Sequence, residues 1–339
     1  MKTAPKKAPV RRYEFTSTAD DLLALLRKNE ARTDDNDFRS GFKEVVDNGN
    51  IVQAVFVYPE KVIPMAAVKK KMNDWLNEYK RVNGKNPSKA LKQDAKEDIV
   101  NKLYLHIPTT YKEVYTIFKY RKDDVWDAFI LTNSAKILDS FISFLPKDFV
   151  CGQSAYIDAV HAVASKVSSD FDPSVYIEDE DYRDFLTWLL YTVSANSFKE
   201  FGGMYAVSIG DSVSVADDDD FTKCVITGDF AEAKTGIYAG KKVFNLEFAL
   251  EYDNCSKGQT VKLLADTSGD IQSLTFNSDN DEDFGEQFVD AYRDFMSFLE
   301  YAVFEYLSLK VDNSKWDDYN STLKEWGRGE ICVRAFDDV

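Results

Sequence analysis

PMAAVKKKMNDWLNEYKRVNGKNPSKALKQDAKEDIVNKLYLHIP, residues 64–108, is bounded by a proline at each end and written in the period of a helix. Val68, Met72, Trp75, Tyr79 and Val82 recur at steps of 4, 3, 4 and 3, which keeps one apolar seam on one helix face. Asn83-Gly84 breaks that helix, and Asn86-Pro87 predicts a second one, with Asn86 as its N-cap and proline at its first position. Leu91, Ala95 and Ile99 then recur every four residues. Two such helices with a short connection form an antiparallel hairpin, about 20 residues or roughly 30 Å per arm.

On either side of this hairpin the pattern changes to strands and single helices. Before it, Arg12–Phe15 reads as a short strand, Thr18 as the cap of a helix over Asp20–Glu30, and Ile51–Tyr58 as a strand introduced by the turn Asn48-Gly49-Asn50. After it come strands at Tyr115–Tyr120 and Val125–Leu131, joined by a turn at Lys122–Asp124. Helices are expected at Ser134–Leu145, Ala155–Lys166 and Glu180–Phe201, the last ended by Gly202-Gly203. Residues 204–276 are strand-rich, with Lys242–Glu251 in plain alternation and Thr260–Leu264 and Ile271–Phe276 facing each other across Ser268-Gly269-Asp270. Phe284–Leu309 is a long aromatic helix that must be covered nearly everywhere. The reading is an α/β chain with α+β mixing: mixed sheets, flanking helices and one protruding basic hairpin. Its parts are a loose basic arm (1–11), an N-terminal base (12–63 and 109–150), the hairpin (64–108), a second α/β region (151–309) and an acidic tail of uncertain order (310–339).

Charge is distributed unevenly. Residues 61–122 hold fifteen Lys/Arg against six Asp/Glu, a net of +9, while the other 277 residues carry −25, within a formal −16 for the chain. An acidic protein that gathers positive charge in one place has a polyanion to meet there, and nucleic acid is the first candidate. The bases expected to do this are Lys69, Lys70, Lys80 and Arg81 on the first helix, Lys85 in the connection, and Lys89, Lys92 and Lys96 on the second. The last three fall within about 60° on a helical wheel, next to the arc of Leu91, Ala95 and Ile99. Such a row tracks phosphates and carries no base-reading side chain. Its bland alternative is an ordinary solvated helix face.

Other chemistry is thinly represented. At 339 residues and 44% hydrophobic the chain can bury a large core, and no run reaches the 18 or more apolar residues of a membrane span. The charged segment Glu14–Asp21 follows the basic start where a signal peptide would be apolar, so the expectation is a soluble, intracellular protein. Cys151, Cys224, Cys255 and Cys332 lie far apart and His106 and His161 have no nucleophile at a recognisable spacing, which speaks against a zinc site, a disulfide framework and a catalytic dyad. No phosphate-binding glycine loop is present, so no cofactor is expected. Asp217–Asp220 with Glu232 and Lys234 faintly follows a nuclease pattern, which would need two carboxylates on a metal and a lysine on adjacent strands. An acidic loop is the plainer reading.

The order of segments resembles the bacterial recombination-associated protein RdgC family. The resemblance is carried by Val45-Val46-Asp47-Asn48-Gly49-Asn50-Ile51-Val52 followed by Glu60-Lys61-Val62-Ile63-Pro64 and Val68, and by Lys96-Glu97-Asp98-Ile99-Val100 before Pro108. It continues through Ala239-Gly240-Lys241-Lys242-Val243, Phe248-Ala249-Leu250, Gly269–Phe276 and the helix from Phe288 to Leu307. It spans roughly residues 12–309 and implies a ring-shaped homodimer that encircles double-stranded DNA without sequence specificity and limits a RecA-type recombinase, with no catalysis, in the cytoplasm at the nucleoid. Carried over are the tip helices with Lys85, Lys89, Lys92 and Lys96, and Tyr111 near an aromatic of the family's tip contact. Thr227-Gly228-Asp229 departs from the family, which tends to have a basic pair there; a divergent, phage-encoded member would have this pattern. Two rivals remain: an acidic protein-interaction factor or DNA mimic whose basic island is a dimer contact, and a metal-dependent nuclease.

Overall fold

The computed structural model describes residues 5–34, 37–152, 154–195, 199–216, 224–227, 230–252, 258–265, 271–275 and 283–328. In chain order these form β1 (Lys7–Ala8), β2 (Arg11–Thr16), α1 (Ala19–Lys28), β3 (Arg32–Asp34), β4 (Asp37–Arg39), β5 (Gly41–Asp47), β6 (Ile51–Glu60), α2 (Met65–Asn83), α3 (Lys89–His106), β7 (Thr110–Tyr120), β8 (Val125–Ile130), α4 (Ala135–Ile142), β9 (Val150–Cys151) and α5 (Ala155–Val167). A short 3-10 turn at Pro173–Tyr176 leads to α6 (Asp179–Ala195), β10 (Lys199–Phe201), β11 (Tyr205–Ala216), β12 (Cys224–Thr227), α7 (Ala231–Tyr238), β13 (Lys242–Tyr252), β14 (Gln259–Leu264), β15 (Ile271–Thr275), α8 (Phe284–Lys310) and α9 (Asn313–Gly327).

The chain is a mixed α/β protein built on two sheets. The first has the order β5-β6-β7-β8-β2-β9; the second has β1-β15-β14-β13-β11-β10, with β12 also paired to β11. Every ladder in them is antiparallel, where mixed pairing was expected, because neighbouring strands are mostly joined directly and no βαβ crossover feeds either sheet. Asp123 and Asp124 take left-handed φ values of 53° and 60° to make the β7–β8 turn.

Both faces of the first sheet are covered, which is why β6 reads as a nearly unbroken apolar run. On one face Phe141 of α4 meets Tyr13, Phe42 and Phe56 at ring separations of 5.9, 6.1 and 5.5 Å. On the other, the start of α8 lies over the sheet, with Phe284 against Tyr115 at 5.0 Å and Phe288 against Phe129 at 5.2 Å. Gln53, the polar break in the β6 run, is buried on that face and its Oε1 accepts the Gly285 N–H at 2.9 Å. It does for α8 what the N-cap Asp283 side chain does not. At 27 residues α8 is about 40 Å long, and its far half packs on α6 and the second sheet through Phe298 and Tyr306.

Four of the expected boundaries are corrected. The arm is not loose: Lys7 and Ala8 pair with Thr275 and Leu274, and Ala8 and Val10 are buried. The helix from Glu180 does not reach Phe201; α6 ends at Ala195, and Lys199–Phe201 is a strand that turns through Gly202 and Gly203, both at positive φ, into β11. Residues 204–276 are not strands throughout, since Ala231–Tyr238 is a helix, α7. The tail forms α9, capped by Asp312, with Trp316, Tyr319, Leu323 and Trp326 at helical spacing; Tyr319 and Trp326 are buried and Tyr191 meets both rings. Residues 329–339 and the turn Ser268-Gly269-Asp270 lie outside the described residues.

A charge network ties α6, α8 and β13 together. Lys310 Nζ donates to Asp181 at 2.8 Å and Asp184 at 2.9 Å, and Lys242 Nζ donates to Glu180 at 2.7 Å and lies 2.8 Å from Asp184.

Candidate nucleic-acid interface

The hairpin emerges from one end of the first sheet, between β6 and β7. Pro64 starts α2, Gly84 ends it with a left-handed φ of 65°, and the Ser88 hydroxyl accepts the Leu91 N–H at 3.2 Å to start α3. The second cap is therefore Ser88 rather than Asn86: a hydroxyl three residues ahead of a free N–H caps directly, and Pro87 is buried before it instead of opening the helix. α2 and α3 pack on each other, Val68 being the buried residue of the first and Ala95 of the second, while Trp75 and Tyr79, a turn apart on α2, lie ring to ring at 5.4 Å; neither helix has another element as a substantial neighbour among the described residues. About 28 Å of helix stands away from the sheets.

All eight expected bases, Lys69, Lys70, Lys80, Arg81, Lys85, Lys89, Lys92 and Lys96, are exposed. Lys89, Lys92 and Lys96 project within about 60° of one another. Their rises along the axis, about 4.5 and 6 Å, are of the order of phosphate spacing along one strand. None of the three has a carboxylate partner among the described residues, and the nearby Glu97 accepts instead from Gln93 at 2.8 Å. Arg81 differs. It makes two hydrogen bonds to Glu78, at 2.9 and 2.6 Å, and this partner holds Glu78 below the usual carboxylate range. Both side chains are in water, so the pair exchanges easily.

Lys112, Lys119 and Arg121 of the basic island do not join this surface. β7 runs away from the hairpin, so Lys119 and Arg121 stand roughly 30 Å along the strand from Thr110. Arg121 Nη1 lies 2.6 Å from Glu14 and 3.8 Å from Asp127, and Lys112 lies 2.9 Å from Glu60. What remains in residues 64–108 is ten Lys/Arg against five Asp/Glu. The sequence gives no sign of this division, because the partners Glu14, Glu60 and Asp127 are set by strand register.

Tyr111 does not reach the hairpin tip. It sits half-buried on β7 opposite Pro59, a helix length from Gly84, at the hairpin root. Around that root Val62, Met65, Tyr104 and Leu105 are exposed by 55, 58, 50 and 75%, and Lys61 Nζ stands 5.0 Å over the Tyr104 ring. This apolar group went unread in the sequence.

Of the nuclease pattern, Glu232 and Lys234 are on α7 and not on a strand, while Asp217–Asp220 lie outside the described residues, as do Gly228 and Asp229. His106 ends α3 and His161 is on α5; both are exposed. No described helix is long and apolar enough to cross a membrane. Compared with known proteins, the chain matches no family model and no curated protein.

Proposed function

We propose that this chain binds duplex DNA without sequence preference through the α2–α3 hairpin, as a homodimer and without catalysing a reaction on it. The observation that carries the reading is the Lys89, Lys92 and Lys96 row: exposed, free of carboxylates among the described residues, and mounted on a hairpin that stands clear of an acidic body. An acidic body repels the same polyanion that the row attracts, which favours one orientation of approach. Phosphate contacts of this kind carry no base information, hence the lack of sequence preference.

Self-association is supported by the exposed apolar group at the hairpin root, with Tyr111 beside it; patches of this type mark contact surfaces. A contact there is a root contact, not a tip-to-tip one. Encirclement of DNA, action on a RecA-type recombinase, nucleoid association and a phage source rest on the resemblance of segment order to the RdgC family. The second reading, an acidic interaction factor or DNA mimic, is favoured by the −25 carried outside residues 61–122.

A gel-shift titration on plasmid DNA at two salt concentrations tests the first reading. Binding that weakens steeply with salt and is indifferent to sequence supports it. Binding to a DNA-handling protein, with none to DNA, supports the mimic instead, and Mg²⁺-dependent cleavage would restore the nuclease.

A further inference from the structure

The hairpin has two unlike broad faces. At about 100° per residue, Lys69 and Lys80 fall within about 20° of each other on α2, roughly a quarter-turn from the seam of Val68, Met72, Trp75 and Tyr79. On α3 the row of Lys89, Lys92 and Lys96 stands roughly a quarter-turn, in the same sense of rotation, from the arc of Leu91, Ala95 and Ile99. Val68 and Ala95, the buried residues of the two helices, place these seams against each other. In antiparallel helices packed seam to seam, positions displaced in the same sense from their seams come to the same side of the pair. Both sets of lysines therefore stand on one face, in two rows, and all five are exposed.

That face carries no acid. Of the five acids in residues 64–108, Asp74, Glu78, Asp94 and Asp98 lie on the other side of their seams, and Glu97 points away from the partner helix. Lys70, Lys71, Arg81 and Lys102 also lie off the lysine face, so four bases meet five acids there and the charge nearly cancels; Arg81 is held by Glu78 at 2.6 Å. None of the five lysines on the basic face is in an ion pair among the described residues. Lys80, three residues before the end of α2, and Lys92, three after the start of α3, stand level across it.

The helices set the separation of the rows. Packed helices lie about 8–10 Å apart, so the α2 and α3 rows are separated by about 10 Å. That is of the order of a groove of B-form DNA, about 6 to 12 Å wide with a phosphate backbone along each side. A two-helix face about 20 Å across is too broad to enter either groove and lies over it instead. We propose, resting on the reading of the hairpin as a DNA site, that this face straddles a groove, with Lys89, Lys92 and Lys96 on one strand and Lys69 and Lys80 on the other. A duplex fills both rows; a single strand fills one. The hairpin then selects double-stranded over single-stranded DNA by the span between the two backbones, and Lys70 and Arg81 take no part.

The test is a fluorescence-anisotropy titration of the full chain with a short mixed-sequence duplex and with an oligothymidylate of the same length, across a series of salt concentrations. Expected are duplex binding about tenfold or more tighter than single-strand binding, and a steeper dependence of log affinity on log salt for the duplex. Lys69→Ala with Lys80→Ala should flatten the duplex slope by about 1.8, two contacts at about 0.9 each, and leave the single strand unchanged. Lys70→Ala with Arg81→Ala should change neither slope. All four side chains are exposed, so the fold is kept. A chain that binds no DNA overturns this proposal together with the reading beneath it. A duplex slope that responds to loss of Lys89, Lys92 and Lys96 but not of Lys69 and Lys80, or equal affinity for the single strand, leaves that reading standing and overturns the straddling face.

Discussion

Residues that share a charge do not share a role here, and the difference lies in what stands beside them. Lys89, Lys92 and Lys96 face water without a carboxylate among the described residues, whereas Arg121, equally basic in the sequence, is held by Glu14 at 2.6 Å. Replacing the three lysines with alanine should weaken binding to all DNA sequences alike and flatten the plot of log affinity against log salt by about 0.9 per residue. Arg121→Ala should leave that slope unchanged. A triple variant with the wild-type slope would remove the row from the interface. Gln53 makes the opposite case, a polar residue that serves the core. Gln53→Leu leaves the Gly285 N–H buried and unpaired, at a cost of about 1–3 kcal/mol, to be read from the denaturant midpoint at constant m-value. Lys242 adds a pH signature. Burial pulls its pKa down, but hydrogen bonds to Asp184 and Glu180 outweigh that and the net shift is upward from 10.5. Its contribution is therefore complete below 10.5 and lost as pH rises through the higher folded value, so Lys242→Gln should flatten the alkaline limb of the stability profile.

Among the elements, the hairpin depends on a single backbone geometry at its turn. Gly84 has φ of 65° and open space where a Cβ would go, so Gly84→Ala meets no clash and costs only the left-handed strain, about 1–2 kcal/mol. Because no other element gives the α2–α3 pair substantial support among the described residues, that cost should appear as faster amide exchange through 64–108 with the two sheets unchanged, together with weaker DNA binding. Faster exchange in the sheets instead would mean that the hairpin is not an independent unit. The hairpin was legible in the sequence because Pro64, Gly84 and the 4-3-4-3 seam are local signals. α9 was equally written, in Trp316, Tyr319, Leu323 and Trp326, but an acidic composition hid the stripe. β1 and β10 could not be read at all: two or three residues show no period, and only distant partners make them strands. For the site, the identity of the bases was legible, while their division into paired and unpaired groups was not, since Glu14 is 107 residues from Arg121 and meets it through register alone.

Across the whole molecule, the exposed root of the hairpin is where association is expected to be decided. Leu105→Asp, at a position 75% exposed, and Tyr111→Ser should shift sedimentation at micromolar concentration toward monomer, with the fold kept because α8 and both sheets are untouched. A wild-type chain that already sediments as a monomer, with or without DNA, would leave a simple one-hairpin binder. The sheet orders carry a further consequence, in time rather than space. β6, β7 and β8 are neighbours both in the chain and in the sheet, so their ladders can close early, but β2 waits for β8 and β9, and β1 waits for β15, some 267 residues away. Loops of that length close late, because their entropy is lost before any contact repays it. In refolding followed by pulsed amide exchange, β6–β8 should gain protection first and Lys7–Val10 last. The N-terminal strand is then the latch of the fold: a chain cut before Arg11 should still assemble its first sheet, and should unfold faster because the edge of the second is left bare.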